Sequence, residues 1–187
     1  MSRNWKNVLN FVASQVLWLA AVGGAANDMW WLGLLVLLVF AAWQLSPAAR
    51  APGDFRLMGV AVATGLVLDT CMAASGLARY ASPLPFEWMA PAWILVLWAG
   101  FALSFNHSME YVVRRPWLAV LFGAIAGPFS YWVAARAWGA VEFAAPTWPA
   151  LLALGLLWGL AMPWLAWASR HPAVTGSVAI NQRESLT

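Results

Sequence analysis

The chain is poor in charge, in cysteine and in histidine. Only 9% of its 187 residues are Asp, Glu, Lys or Arg, against about a quarter in a soluble domain. So few charges cannot coat a water-soluble protein of this size. With 63% hydrophobic residues, lipid must be the solvent for much of it. A single cysteine, Cys71, excludes an internal disulfide and leaves the redox compartment unreadable. Two histidines and one cysteine are too few for a metal site of three or four ligands. A haem held by both histidines is disfavoured, because His171 falls in the polar C-terminal stretch. Phosphate loop, dinucleotide fingerprint and paired-cysteine motif are all missing, so no metal or cofactor is expected. Alternating strands of the barrel type are absent too. No linker or charge run divides the chain, which is expected to form one domain.

What the sequence does contain is six apolar stretches, at about 8–26, 30–45, 57–76, 88–105, 117–138 and 148–168. Each is close to the ~20 residues that cross a bilayer as helix. A helix satisfies its own backbone in lipid, so the expected fold is all-α, a six-span bundle over 1–168 with a flexible cytoplasmic tail over 169–187. Turn residues punctuate it: Asn27-Asp28, Ser46-Pro47, Pro52-Gly53, Pro83, Pro85, Arg115-Pro116 and Pro146.

The basic residues orient the bundle. Arg3, Lys6, Arg50, Arg56, Arg114, Arg115, Arg170 and Arg183 fall on one side, and Arg79 and Arg136 on the other. The positive-inside rule then places both ends of the chain in the cytoplasm of a bacterial-type inner membrane. The net charge of +3 is thereby membrane orientation, and no nucleic-acid partner is expected. About ten of the 15 tryptophans sit near the expected interfaces, as an aromatic belt should. Trp18, Trp98 and Trp132 lie deeper and are expected to pack against helices or lipid. Residues 1–26 have some features of a signal peptide, but Ser14 and Gln15 interrupt the apolar run, and it reads as a first span.

Helix association inside lipid depends on small residues and polar contacts. Ala61, Gly65, Asp69 and Ala73 share one stripe of the third span. Ala119, Gly123, Gly127, Tyr131 and Ala135 share one stripe of the fifth, and the sixth carries Gly155 and Gly159. Asp69 and Tyr131 should therefore face protein, and each other.

Asp69 is the leading candidate for chemistry. A mid-membrane carboxylate costs about 2.5–3.5 kcal/mol on insertion scales and needs a partner or a proton. It reads as a proton or cation site, a catalytic acid, or a polar contact between helices. Arg136, near the outer end of the fifth span, is its expected partner, the alternative being a side chain that snorkels to headgroups. Asn106, His107 and Ser108 close the fourth span ahead of Arg114 and Arg115. His107 there suits a proton relay, a headgroup-phosphate contact or simple local hydrogen bonding. Gly127-Pro128 with Ser130 and Tyr131 marks a break in the fifth span, and such breaks often line cavities. Gln15 adds a polar side chain on the inner half of the first span.

These landmarks (Gly65-Leu66-Val67-Leu68-Asp69, Asn106-His107-Ser108, and Gly127-Pro128-Phe129-Ser130-Tyr131 followed by Gly139-Ala140) resemble the bacterial membrane family catalogued as domain of unknown function 2878. The resemblance covers nearly the whole chain except the tail. It implies a small polytopic inner-membrane protein without an established activity, and tilts toward a lipid-related role. One departure is Trp132-Val133, where a small residue is expected after the Ser-Tyr pair.

Three function classes fit. One is binding or transport of a lipid or small amphiphile in a cavity lined by Asp69, His107, Ser130 and Tyr131; for so small a transporter a homodimer is expected. The second is an accessory or assembly subunit of a membrane complex, whose polar residues only dock helices. The third is a membrane-embedded lipid-modifying enzyme with Asp69 or His107 as acid or base.

Overall fold

In the computed structural model, residues 3–170 are described. Seven helices occur among them: α1 (Arg3–Ala26), α2 (Trp31–Gln44), α3 (Asp54–Ala74), α4 (Ala92–Phe105), α5 (Glu110–Val113), α6 (Pro116–Val133) and α7 (Trp148–Arg170). A π turn, Ala134–Trp138, prolongs α6. Four helices are long and apolar enough to cross a membrane, namely α1, α3, α6 with its π turn, and α7. The helices α2 and α4 are apolar but only 14 residues each, about 21 Å long. The fourth stretch thus becomes helical four residues later than expected, because Pro91 is extended and caps it. The helix α7 runs on through Ser169 and Arg170; the rest of the expected tail lies outside the described residues.

Sequence periodicity missed a short ribbon. Strands β1 (Ala78–Tyr80) and β2 (Val141–Phe143) pair antiparallel, with Tyr80 opposite Val141 and Arg79 opposite Glu142. Three-residue strands are too short to show a period. The ribbon ties the end of α3 to the end of α6, and it folds Tyr80 back over the bundle.

The six longer helices run up and down between two ends. At one end Lys6 Nζ donates to the Ala48 carbonyl at 3.0 Å, and the Arg56 guanidinium donates to the Ala168 carbonyl. The starts of α1 and α3 therefore share an end with the α2–α3 loop and the last turn of α7. At the other end Ser82 Oγ donates to the Ala25 carbonyl at 3.0 Å, and Trp93 Nε1 to the Ala81 carbonyl at 2.8 Å. There the π turn, ended by Gly139 at φ 67°, swings Trp138 onto α1. Trp138 meets Trp18 edge-on at 5.5 Å, and a Cβ on Gly23 would lie 3.4 Å from its indole nitrogen.

Packing follows the small stripes. Ala61, Gly65 and Asp69 of α3 and Ala119, Gly123, Gly127 and Tyr131 of α6 are all buried. Gly65 admits Trp98: a Cβ there would sit 2.0 Å from the indole ring. Gly127 admits Trp158 in the same way, at 2.4 Å. The two indoles then stack at 4.4 Å and 19°. Pro128 cannot donate to the carbonyl one turn back. That carbonyl, on Ala124, faces Gly155, where a Cβ would lie 3.2 Å away. The break in α6 is thus accommodated by a glycine on α7.

Gly65→Ala is expected to destabilise the bundle by about 1–3 kcal/mol through overpacking against Trp98. Gly59→Ala, where an added Cβ meets nothing within 4 Å, is expected to be neutral or mildly stabilising. Unfolding midpoints in a denaturing-detergent titration check the contrast.

Candidate functional site

The buried polar residues sort into two clusters. They lie about 22 Å apart along α3, the rise of the helix from Asp54 to Asp69.

The first centres on Asp69, which is 0% exposed. Its Oδ1 accepts from Tyr131 Oη at 2.5 Å and from Tyr80 Oη at 2.9 Å. Its Oδ2 accepts from Trp98 Nε1 at 2.8 Å. These three donors come from α6, the ribbon and α4, so one carboxyl group joins four elements. Each donor is placed by local structure: Trp98 by the missing side chain of Gly65, Tyr80 by ribbon register, and Tyr131 by the small stripe. Burial, with the Asp69 carboxylate second, pushes the Tyr80 phenol well above the ordinary tyrosine range, so it stays protonated and donating. The expected Asp69–Arg136 pair does not form. Arg136 is exposed on the π turn, because that turn directs its basic side chain away from the bundle.

The second cluster lies at the basic end. Asp54, 1% exposed, accepts from the Ala51 backbone N–H at 2.7 Å and from Asn106 Nδ2 at 2.8 Å. His107 Nε2 stands 3.1 Å from Asp54 Oδ2 and 3.0 Å from Gln44 Nε2. Asn10 Nδ2 donates to Gln44 Oε1 at 2.8 Å and to the Leu103 carbonyl at 2.9 Å. Ser108 Oγ donates to Asn10 Oδ1 at 2.7 Å. The Asn-His-Ser segment is therefore a clasp that joins α1, α2, α3 and α4. Arg114 pairs locally with Glu110 at 2.5 Å, and Arg115 lies 3.8 Å over the Tyr111 ring. His107 and the two arginines do not converge into one phosphate cradle.

Beside the Asp69 cluster lies a cavity of about 350 Å³. Its walls come from α1, α4, α6 and α7, and they are rich in aromatic rings: Trp18, Trp93, Trp98, Phe101, Phe122 and Trp158. Ser14, Gln15, Ser130 and Tyr131 supply polar groups. Neither Asp69 nor His107 lines it. This corrects the expected lining: Trp98 and Tyr131 stand in front of Asp69 and screen it, while His107 is held by Asp54 at the basic end. The Trp158 indole N–H is buried beside Tyr131 without a well-formed hydrogen bond.

Of the residues singled out from sequence, Tyr131 meets Asp69, and Gln15 and Ser130 share the cavity with Tyr131. Asn106, His107 and Ser108 belong to the clasp, and Arg136 to neither. Sequence reasoning missed Asn10, Gln44 and Asp54, which were visible as polar residues in or beside apolar runs. It missed the role of Trp98, whose depth was noted but whose N–H was not assigned a partner. Nothing in the sequence pointed to Tyr80. The bulky Trp132 is 43% exposed and stacks on Phe129 at 6.1 Å, so the bulk faces outward and leaves the α6–α7 contact untouched.

The landmarks, now placed, can be set beside known proteins. Residues 7–164 match the family described as Protein of unknown function (DUF2878). The chain belongs to this family. Comparison with curated proteins and with solved structures found no match. The DUF2878 match runs from the start of α1 into α7 and takes in both polar clusters and the whole cavity wall.

Asp69→Asn replaces one acceptor oxygen with a donor facing a donor. It is expected to cost about 1–3 kcal/mol, whereas Arg136→Ala should change stability by less than about 0.5 kcal/mol. Thermal unfolding followed by tryptophan fluorescence separates the two.

Proposed function

We propose that this chain binds a lipid or small amphiphile within the membrane, in the cavity walled by α1, α4, α6 and α7, as a carrier or transporter of that molecule. The carrying observation is the cavity itself. A space of this size that the side chains leave unfilled is room for a ligand. Its size falls at the low end of small-molecule sites, about 300–1,000 Å³. Its make-up, aromatic walls with a few polar groups, is the usual one for such sites. The Asp69 group and the Asn-His-Ser clasp then serve to hold the walls in place.

The membrane reading places all six longer helices across a bacterial inner membrane, with residue 6 and residue 170 on the cytoplasmic side. Support comes from the hydrogen bonds that gather Lys6, Arg56 and the last turn of α7 at one end, while Arg79 and Arg136 lie at the other. The shortness of α4 fits this reading, because ten of its 14 residues are buried in protein. Irregular backbone at its ends therefore need not face lipid.

Purification in a mild detergent, followed by mass spectrometry of co-purifying lipids, tests the reading. The wild-type chain should retain one lipid class enriched about ten-fold or more over the membrane average, a difference of roughly 1.4 kcal/mol. Ser130→Phe, which fills the cavity, should lose it. Lipid recovered in bulk proportions from both proteins would refute binding.

A further inference from the structure

The lining of the cavity and its relation to α1 and α6 narrow the ligand. We infer that the cavity takes an uncharged single-chain or single-ring lipid with a hydroxyl as its polar end, entering from the bilayer between α1 and α6. The inference rests on the binding function proposed above.

Charge is the first constraint. Among the described residues, not one Asp, Glu, Lys or Arg lines the cavity. A phosphate or sulfate brought into it would meet no counter-charge, and an unpaired charge in an apolar site is costly. The polar groups present are the hydroxyls of Ser14 and Ser130, the Gln15 amide, the Tyr131 phenol and the indole N–H groups of Trp18, Trp93, Trp98 and Trp158. The Tyr131 and Trp98 polar hydrogens are committed to Asp69 and that of Trp93 to the Ala81 carbonyl, whereas the Trp158 N–H, buried without a well-formed hydrogen bond, is left as a donor. The complement of hydroxyls, an amide and an indole donor is a group that both accepts and donates, such as a hydroxyl.

Size is the second constraint. A cavity of about 350 Å³, at the low end for small-molecule sites, suits one chain or ring system better than both chains of a phospholipid.

Access is the third. The helix α1 packs on α2 and α4, and α6 packs on α7; the α1 and α6 columns meet chiefly at the π turn. Trp18 and Trp138 close that end. Below this contact Ser14 and Gln15 of α1 and Ser130 of α6 stand at the cavity between the two helices. Gln15 is exposed there, in the middle of an apolar helix, and polar side chains at that depth generally face a bundle interior or a cavity. The side opening thus faces the bilayer, the phase in which an uncharged lipid is dissolved.

The test is photolabelling of the full chain in nanodiscs with two probes that share one diazirine-bearing hexadecyl chain. One ends in an alcohol and the other in a sulfate. Labelled residues are mapped by mass spectrometry. The alcohol is expected to label cavity residues of α1 and α6 about ten-fold more than the sulfate, with equal labelling of outward-facing residues such as Val39 and Leu160. Ser130→Phe should lower cavity labelling by the alcohol and leave outward labelling unchanged. Equal cavity labelling by both probes would overturn the ligand class and keep the binding function. Cavity labelling by neither probe would overturn the binding function itself. The wild-type comparison needs no variant to fold.

Discussion

A carboxylate inside an apolar bundle must find hydrogen-bond donors there, and among the described residues Asp69 finds three and no cation. Two phenols and an indole converge on it from the ribbon, α6 and α4. Hydrogen bonds to a charged group are worth more than neutral ones, and a buried acceptor left empty is expensive. The position of each donor is therefore dictated by where the carboxyl group sits. Much else follows from that demand. Gly65 exists as a gap for Trp98, Gly127 as a gap for the Trp158 ring stacked on it, and the ribbon returns Tyr80 to the group.

The same arrangement explains why the cavity is uncharged although a carboxylate lies close to it. Trp98 and Tyr131 turn their polar atoms toward Asp69 and their ring surfaces toward the cavity, so the charge-bearing residue is walled off by the groups that satisfy it. At the basic end, the Asn-His-Ser clasp fixes α1, α2, α3 and α4 to one another around Asp54. With α1 pinned there and at the π turn, the space between α1 and α6 is held open from both ends. Two pinned ends and an open middle are what a side entrance from lipid requires.

Much of this architecture was legible in the sequence. Low charge and the apolar stretches pointed to a membrane helical bundle, and the four-residue stripes put Asp69 and Tyr131 on facing surfaces. What resisted reading was partner choice. Arg136 looked like the natural counter-charge for Asp69, because sequence shows charge but not direction, and the π turn sends this side chain outward. Tyr80 could not have been found, since a three-residue strand carries no period and its register comes from β2, some sixty residues later. His107 and Asp69 both stand out as polar residues in or beside apolar stretches, but sequence does not show which polar groups on different helices share a depth. The hydrogen bonds of Asp54 show that His107 belongs to the other end. The amides of Asn10 and Gln44 were visible, but a lone amide in an apolar run does not announce which helix it holds.

The central claim is that Asp69 holds Trp98 and the two phenols as one hydrogen-bonded wall. Nitrogen-15 NMR of the indole N–H groups, in the full chain in nanodiscs, tests it most directly. Trp98→Phe assigns the Trp98 signal. The account predicts that this signal is shifted downfield, exchanges slowly with water, and moves on Asp69→Asn while the outward-facing Trp132 signal stays in place. A Trp98 signal that ignores the Asp69 substitution would contradict it.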